Sequence, residues 1–462
     1  MATPQASRRT TQIFLASTLY GAATLAAALD ADRFGPADRR ILLVSNNAAT
    51  PETTTPLDEM PGFERLRGRF DEVRSWNETI APFHPGGWAP RGDDVVLWER
   101  YVRLLWGLGD DAVELAVESI QVNPALALAQ IFTGVPVDVY ADGLMSYGPT
   151  RNKLDPLVGT RVRRLLHLDL VPGLTPLLLT EFGVEPEVVP TEAFVKVLGE
   201  LAEADEDDEN TVQLPDIEAP ALVLGQYLSA LSILTPEEEE ELHIRMVRGA
   251  AQLGHTRVVF KPHPTAPARW SRALEKEAQA IGVELTVLDT PVLAEVLYQR
   301  MRPALVVGCF STALITASAL YGLPAARTGT DLLLERLAPY QNSNRVPVTI
   351  VDALLPELTD QAAVSAQQPG LGTGELTNLL KAVGFAMQPQ IYPRLRPDAE
   401  RYLARHLSAA TWRYFKRRRL TALALPGAVP AQLAFIPRNA AVRRVARRAR
   451  SVQRSLKRTA LG

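Results

Sequence analysis

Val258-Val-Phe-Lys-Pro-His-Pro264 is the stretch on which the fold turns. Three apolar residues that favour extended backbone run into Lys261, and two prolines then bracket His263. A short apolar run closed by turn residues reads as a buried strand. In parallel sheets the crevice at the carboxyl ends of the strands takes the ligand, so His263 is placed at such a crevice. A surface loop with an incidental histidine is the plainer reading, and the buried strand ahead of it argues against that.

Outward from this point, short apolar runs alternate with helical patterns. Gln12–Ala16, Ile41–Ser45, Asp94–Leu97, Val135–Tyr140, Ala221–Leu224, Arg257–Phe260, Glu284–Val287 and Ala304–Val307 read as strands. Leu104–Gln121, Glu237–Leu253, Ser271–Ile281 and Thr312–Tyr321 read as helices. This alternation predicts an α/β fold with parallel sheets covered on both faces. Thr235-Pro-Glu-Glu238 has the spacing of a capping box with proline at the first helical position. The acidic run Glu203–Asn210 repels itself and marks a boundary. The expected divisions are a Rossmann-like domain at 1–201, a linker at 202–218 and a second Rossmann-like domain at 219–390. A C-terminal helix returning to the body (391–425) and a basic tail (426–462) follow. Two such domains across a cleft are analogous to the GT-B architecture of glycosyltransferases.

Two further segments have chemistry in the same position. Ala304-Leu-Val-Val-Gly-Cys-Phe-Ser-Thr312 is a strand ending in a small-residue turn, with Ser311 or Thr312 opening a helix. Free N–H groups and the helix dipole favour an anion there, and Ser311 also suits a simple N-cap; the two uses are compatible. Val137-Asp-Val-Tyr-Ala-Asp-Gly143 ends a strand on Asp142. Asp142-Gly143 reads equally as a turn or as a cleft carboxylate that takes a proton from a hydroxyl. His84-Pro85 follows no strand, and neither Asp30-Ala-Asp32 nor Asp205-Glu-Asp207 directly follows a buried strand, so no metal site is expected. Phosphate-loop and dinucleotide fingerprints are absent, which argues against kinases and dehydrogenases.

Composition sets the remaining bounds. The 462 residues are 47% hydrophobic and 22% charged, an ordinary globular balance without a membrane-spanning run. A single cysteine, Cys309, excludes an intrachain disulfide and a Cys-based zinc cluster and suits a reducing cytoplasm. Arg8-Arg9 superficially matches a twin-arginine signal, but polar residues interrupt the following stretch, which reads better as a first strand and helix. The net charge of −3 conceals an asymmetry. Tyr392–Gly462 carries 18 Lys+Arg against two acids, or +16, leaving −19 on the body. Asp398–Leu420 reads as one helix. The basic segment Ala440–Arg458 beyond it reads either as a passive solvated tail or, in the favoured reading, as a dock for an anionic inner-leaflet surface, and no nucleic-acid module accompanies the charge.

An acid-Gly pair after a strand, then Lys261-Pro-His-Pro264, then Ser311-Thr312 opening a helix, resembles the bacterial α-2,8-polysialyltransferase and lipooligosaccharide sialyltransferase family. Gln12–Leu25 and the segments Ser75-Trp-Asn-Glu and Phe83-His-Pro-Gly-Gly-Trp88 resemble it too, so the likeness spans roughly Gln12 to Leu355. The resemblance implies a GT-B fold and inverting transfer of sialic acid from CMP-sialic acid to a glycan acceptor, without a metal or other cofactor. It implies Asp142 as the base and His263 as the group that meets the leaving CMP phosphate. Ser311 and Thr312 would share that phosphate, with Lys261 and Pro264 completing the donor-side motif. The family usually has two adjacent acids before the glycine, the first serving as base; here that position is Ala141. Rival readings are a CDP-glycerol glycerophosphotransferase-like polymerase and a non-catalytic glycan- or nucleotide-binding relative.

Overall fold

The computed structural model describes residues 8–203, 214–215, 217–263 and 269–428. The first sheet holds β1 (Thr10–Ala16), β2 (Arg39–Val44), β3 (Glu72–Ser75), β4 (Ala112–Glu118), β5 (Val137–Ala141), β6 (Val162–Leu168) and β7 (Glu185–Val189). Their order is β3-β2-β1-β4-β5-β6-β7, with every neighbouring pair parallel. The second sheet holds β8 (Ala221–Leu224), β9 (Arg257–Lys261), β10 (Glu284–Val287), β11 (Leu305–Gly308) and β12 (Ala325–Arg327). Its order is β10-β9-β8-β11-β12, again all parallel. Both sheets start in the middle and reverse direction once, between β1 and β4 and between β8 and β11. A chain that leaves a parallel sheet on opposite sides of two adjacent strands opens a crevice between them, and that is where such folds bind ligands.

Side chains alternate across each strand, so one face needs a separate cover from the other. Ile13 and Leu15 join a core with Ile41, Leu43 and Val139 on one face of the first sheet. Phe14 and Ala16 face the other way, into a core that continues without a break through Leu222, Val259 and Val306 of the second domain. The two domains therefore share buried apolar surface and pack as the facing pair that defines a GT-B fold.

Three expectations need correcting. Asp94–Leu97 is not a strand: it leads into the helix Val95–Leu105, where apolar residues recur at 97, 101, 104 and 105 with helical spacing. Leu104–Gln121 is not a helix: Gly107 and Gly109 take positive φ, ending the turn, and Ala112–Glu118 then pairs with β1 and β5. Asp398–Leu420 is not continuous. The helix Arg396–His406 stops, a turn Trp412–Tyr414 follows, and a shorter helix Arg417–Ala422 is the last element among the described residues. The Thr411 hydroxyl accepts from the Ser408 N–H at 2.8 Å, and Tyr414 donates to buried Asp352 at 2.7 Å; these contacts require the break. The expected capping box at Thr235 and Glu238 is present at the start of the helix Pro236–Gln252.

The chain's last segment touches both domains. Tyr392 bonds Thr150, the Leu177 carbonyl and Glu181 in the first domain. Tyr414 and Arg413 reach Asp352 in the second. The tail beyond 428 and residue Pro264 lie outside the described residues.

Candidate functional site

In the first domain, β1 ends at Ala16 and Thr18 caps the helix Leu19–Asp30, its hydroxyl accepting from the Gly21 N–H at 2.9 Å. The neighbouring strand β4, across the point where strand order reverses, ends on Glu118. Its carboxylate accepts from the Ser17 N–H at 3.1 Å and from the Ser17 hydroxyl at 2.7 Å. Next along the sheet, Tyr140 of β5 donates to the Leu15 carbonyl at 2.9 Å, and Asp142 follows the strand end.

Gly21 shows how tightly these groups converge. A Cβ there would lie 3.0 Å from the Tyr140 hydroxyl, 3.1 Å from Thr18 Oγ1 and 3.3 Å from Asp142 Oδ2. Asp142 is half-buried, with its carboxyl set between the helix start and the strand ends. Burial, then the negative charge of Glu118, pushes that carboxyl up to about 7. Burial likewise raises Glu118, against the opposing bonds from Ser17. Both follow from the cost of taking a carboxylate out of water, to which the like charge of Glu118 adds at Asp142.

In the second domain, β9 ends on Lys261, and Pro262-His263 turns past the end of β8. Gly225 makes room for that turn: a Cβ there would meet Phe260 Cζ at 2.9 Å and Pro262 Cα at 3.1 Å. Burial lowers His263, and the Lys261 charge adds to the effect, so its surroundings favour the neutral imidazole. Burial also lowers Lys261, while Glu295 partly opposes it. On the far side of β8, β11 leads to Ser311, whose hydroxyl caps the helix Thr312–Tyr321 by accepting from the Ala313 N–H at 3.2 Å. Ser311 therefore serves as the cap that the sequence allowed.

Thr312 does something else. Its hydroxyl accepts from the Leu144 N–H of the first domain at 3.4 Å, and a Cβ on Gly143 would lie 3.2 Å from the same oxygen. The structure thus joins the Asp142-Gly143 turn to the helix start behind Ser311, across the domain junction. Tyr20 deepens the junction: its buried hydroxyl has no hydrogen-bond partner among the described residues and feels the charges of Glu295 and Asp142, which add to burial in raising its pKa. Glu118, Tyr20 and Glu295 were missed in the sequence. Glu118 sat in a segment read as helix; its signal, an acid closing a Val-rich run as Asp142 does, was present.

A cavity of about 700 Å³ lies elsewhere along the junction and is lined by Arg151, Lys153, Glu181, Gln388 and Arg419. It contains none of the strand-end groups, so the convergence of side chains locates the site better than volume does. Among the described residues no group of three His, Cys, Asp or Glu is arranged to hold a metal ion.

A family model described as alpha-2,8-polysialyltransferase matches residues 12–330. The chain belongs to the alpha-2,8-polysialyltransferase family. It is thereby a glycosyltransferase of the sialyltransferase class. The matched segment contains Glu118, Asp142, Lys261, His263, Ser311 and Thr312 and stops before the C-terminal helices. No curated protein is significantly similar in sequence. Among solved structures, a sialyltransferase GT-B domain from Photobacterium damselae is 10% identical, with 66% of this chain and 88% of that one covered and a TM-score of 0.34. MurG from Acinetobacter baumannii is 12% identical, with 85% and 95% covered and a TM-score of 0.39. A UDP-N-acetylglucosamine 2-epimerase homologue from Listeria monocytogenes is 15% identical, with 82% and 97% covered and a TM-score of 0.42. At these TM-scores the likenesses add nothing to the fold read from the two sheets.

Proposed function

We propose that this family member transfers sialic acid from CMP-sialic acid to a glycan acceptor with inversion and without a metal, extending an α-2,8-linked chain when its own product is the acceptor. The observation that carries the reading is the Asp142-Gly143 turn held against Thr312 at the domain junction. It sets an acceptor-side carboxyl beside a donor-side helix start, as single displacement requires.

The acceptor oxygen bonds to the anomeric carbon as the bond to the phosphate oxygen breaks. Asp142, poised near neutral, takes the acceptor proton; a base works best when its pKa lies near the operating pH. The departing phosphate oxygen gains negative charge near the N-terminus of Thr312–Tyr321, where the helix dipole favours it. His263 is neutral without the donor, but an anionic phosphate beside it raises its pKa, so donor binding itself brings the proton that CMP leaves with. Pro262 and Gly225 hold the turn that aims this ring, and Lys261 adds positive charge behind it.

The reading extends to location: a peripheral enzyme at the cytoplasmic face of an anionic membrane. Residues 429–462 carry nine Lys+Arg and no acid, which favours such a surface. The helix Val95–Leu105 supports the same occupant, since Val96, Leu97 and Leu104 are 80%, 66% and 74% exposed, with Arg100 exposed among them and Tyr101 and Trp98 alongside. No helix among the described residues is long and apolar enough to cross a membrane.

A donor panel tests the reading: CMP-sialic acid, CDP-glycerol and UDP-sugars, with products read by mass spectrometry. CMP release and sialylated acceptor are expected. Consumption of CDP-glycerol or a UDP-sugar alone would replace it, and nucleotide binding without turnover of any donor would leave a binding protein.

A further inference from the structure

Glu118 stands at the place in the first sheet where strand order reverses, between the ends of β1 and β4. Its two oxygens are held by the N–H and hydroxyl of Ser17, the residue that directly follows β1. The Tyr140 hydroxyl, from the next strand, faces both Glu118 and the Leu15 carbonyl. The same hydroxyl and Asp142 Oδ2 lie within 3.0 and 3.3 Å of one point, the missing Cβ of Gly21. Two carboxyl groups on adjacent strand ends thus flank one phenol, with a glycine opposite leaving space against them. An acid serving only to tie β1 to β4 needs no second acid beside it, and the second one makes both costlier to ionise.

We propose that Glu118 is the charge partner of Asp142, a positioning residue fixed by Ser17 that governs how strongly Asp142 takes the acceptor proton. This deepens the reading above and rests on Asp142 as base. In the step, the acceptor O–H proton passes to Asp142, the freed oxygen pair forms the new glycosidic bond, and the pair of the broken bond leaves on the CMP phosphate. Glu118 exchanges no atom in it. It carries the negative charge, because Ser17 donates to it, and that charge disfavours a second charge on Asp142 until a proton arrives to neutralise it. The effect of burial on Asp142 comes first and that of Glu118 second. The other titratable groups that face the pair are Tyr140 from β5, Tyr20 from the helix Leu19–Asp30, and Glu295 beyond Tyr20 from the helix Ala294–Met301. Tyr20 and Tyr140 are held neutral by burial, so Glu118 is the near charge.

The test is the pH profile of kcat/KM with the full chain, CMP-sialic acid and a sialylated acceptor, for Glu118→Gln, Glu118→Asp, Ser17→Ala and Asp142→Asn. Without the Glu118 charge, Asp142 loses its proton more readily and becomes a weaker base. The acidic limb of the Glu118→Gln profile should therefore move down by roughly one pH unit, with a several-fold lower plateau. Glu118→Asp should restore the limb in part. Ser17→Ala leaves both acids in place and removes a donor that keeps Glu118 ionised, so its limb should move the same way by less. An unmoved limb in Glu118→Gln and Ser17→Ala, with activity lost in Asp142→Asn, would make Glu118 a strand tie only and leave the base standing. Activity retained in Asp142→Asn but lost in Glu118→Gln would make Glu118 the base and overturn both.

Discussion

Thr312, the first residue of a helix in the second domain, accepts the backbone N–H of Leu144 from the first domain at 3.4 Å. This bond and the 3.2 Å approach of its oxygen to the Gly143 Cβ position tie the Asp142-Gly143 turn of the first domain to the helix start of the second. Gly143→Ala should press a methyl against that hydroxyl, and Thr312→Ala should remove the acceptor. A lost hydrogen bond of this kind is worth about 1 kcal/mol. Each variant should lower kcat/KM for the donor about five- to tenfold while thermal unfolding stays cooperative; unchanged kinetics in both would separate the contact from catalysis.

Gly21 offers a sharper separation of stability from activity. Alanine in a helix is favoured over glycine by about 1 kcal/mol. Here its Cβ would sit 3.0–3.3 Å from Tyr140, Thr18 and Asp142. Crowding offsets that gain, so Gly21→Ala should change the melting temperature by only a few degrees and still reduce kcat, by displacing Asp142. Parallel calorimetry and kinetics read the two effects.

Asp142 itself should be a source of instability at neutral pH. Its folded pKa, about 7, lies above the ordinary carboxyl value, so the folded state holds a proton that the unfolded chain releases. That contribution is fully present below the unfolded pKa and is lost as pH rises toward 7. Asp142→Asn removes it and should stabilise the protein at pH 8 by on the order of a few kcal/mol relative to wild type, while abolishing transfer. Denaturant unfolding at pH 5 and pH 8 should show a larger gain at pH 8.

His243 predicts the opposite slope. Burial lowers its pKa to about 4, and its ring accepts the Gln226 N–H at 3.3 Å. Between pH 6.5 and 4 the unfolded chain binds a proton that the folded one refuses, so stability falls with pH across that window. The full loss is at most about 3 kcal/mol. His243→Phe, which is close in volume and cannot titrate, should flatten the slope of unfolding free energy against pH there.

Replacing His263 with Ala should reduce turnover by roughly 10²–10⁴-fold, the range for loss of a positioned proton donor. Leaving-group dependence provides the check: a donor whose nucleotide leaves more readily should suffer less. At the membrane, deletion of 440–462 should weaken binding to anionic vesicles in a salt-dependent way, and Leu97→Glu with Leu104→Glu should weaken it at any salt. Flotation that is indifferent to both changes would remove the membrane from the reading.

Much of the donor side was legible in the chain. Val258–His263 and the strand before Ser311 are local patterns, and local apolar runs, prolines and caps form the same elements wherever they sit. The acceptor side was less so. The aliphatic run from Leu104 to Gln121 looked helical because its periodicity was read across two elements, and the positive φ of Gly107 and Gly109 that divides them is a backbone choice made by pairing with β1. That error hid Glu118. Asp142 as turn or carboxylate stayed undecided for a related reason: beyond nearby Tyr140, its environment comes from Gly21 and Glu118, both remote from it in sequence.

By itself the sequence determined the parallel α/β class, most of the donor-domain elements, the capping box at Thr235 and the family signature, because these depend on residues within a few positions of one another. The tertiary structure alone decided that β4 lies beside β1, that Ser311 caps its helix while Thr312 reaches across to Leu144, and that two carboxyl groups share one buried corner. Burial and charge are properties of what surrounds a group, and most of what surrounds Asp142 is brought there by folding.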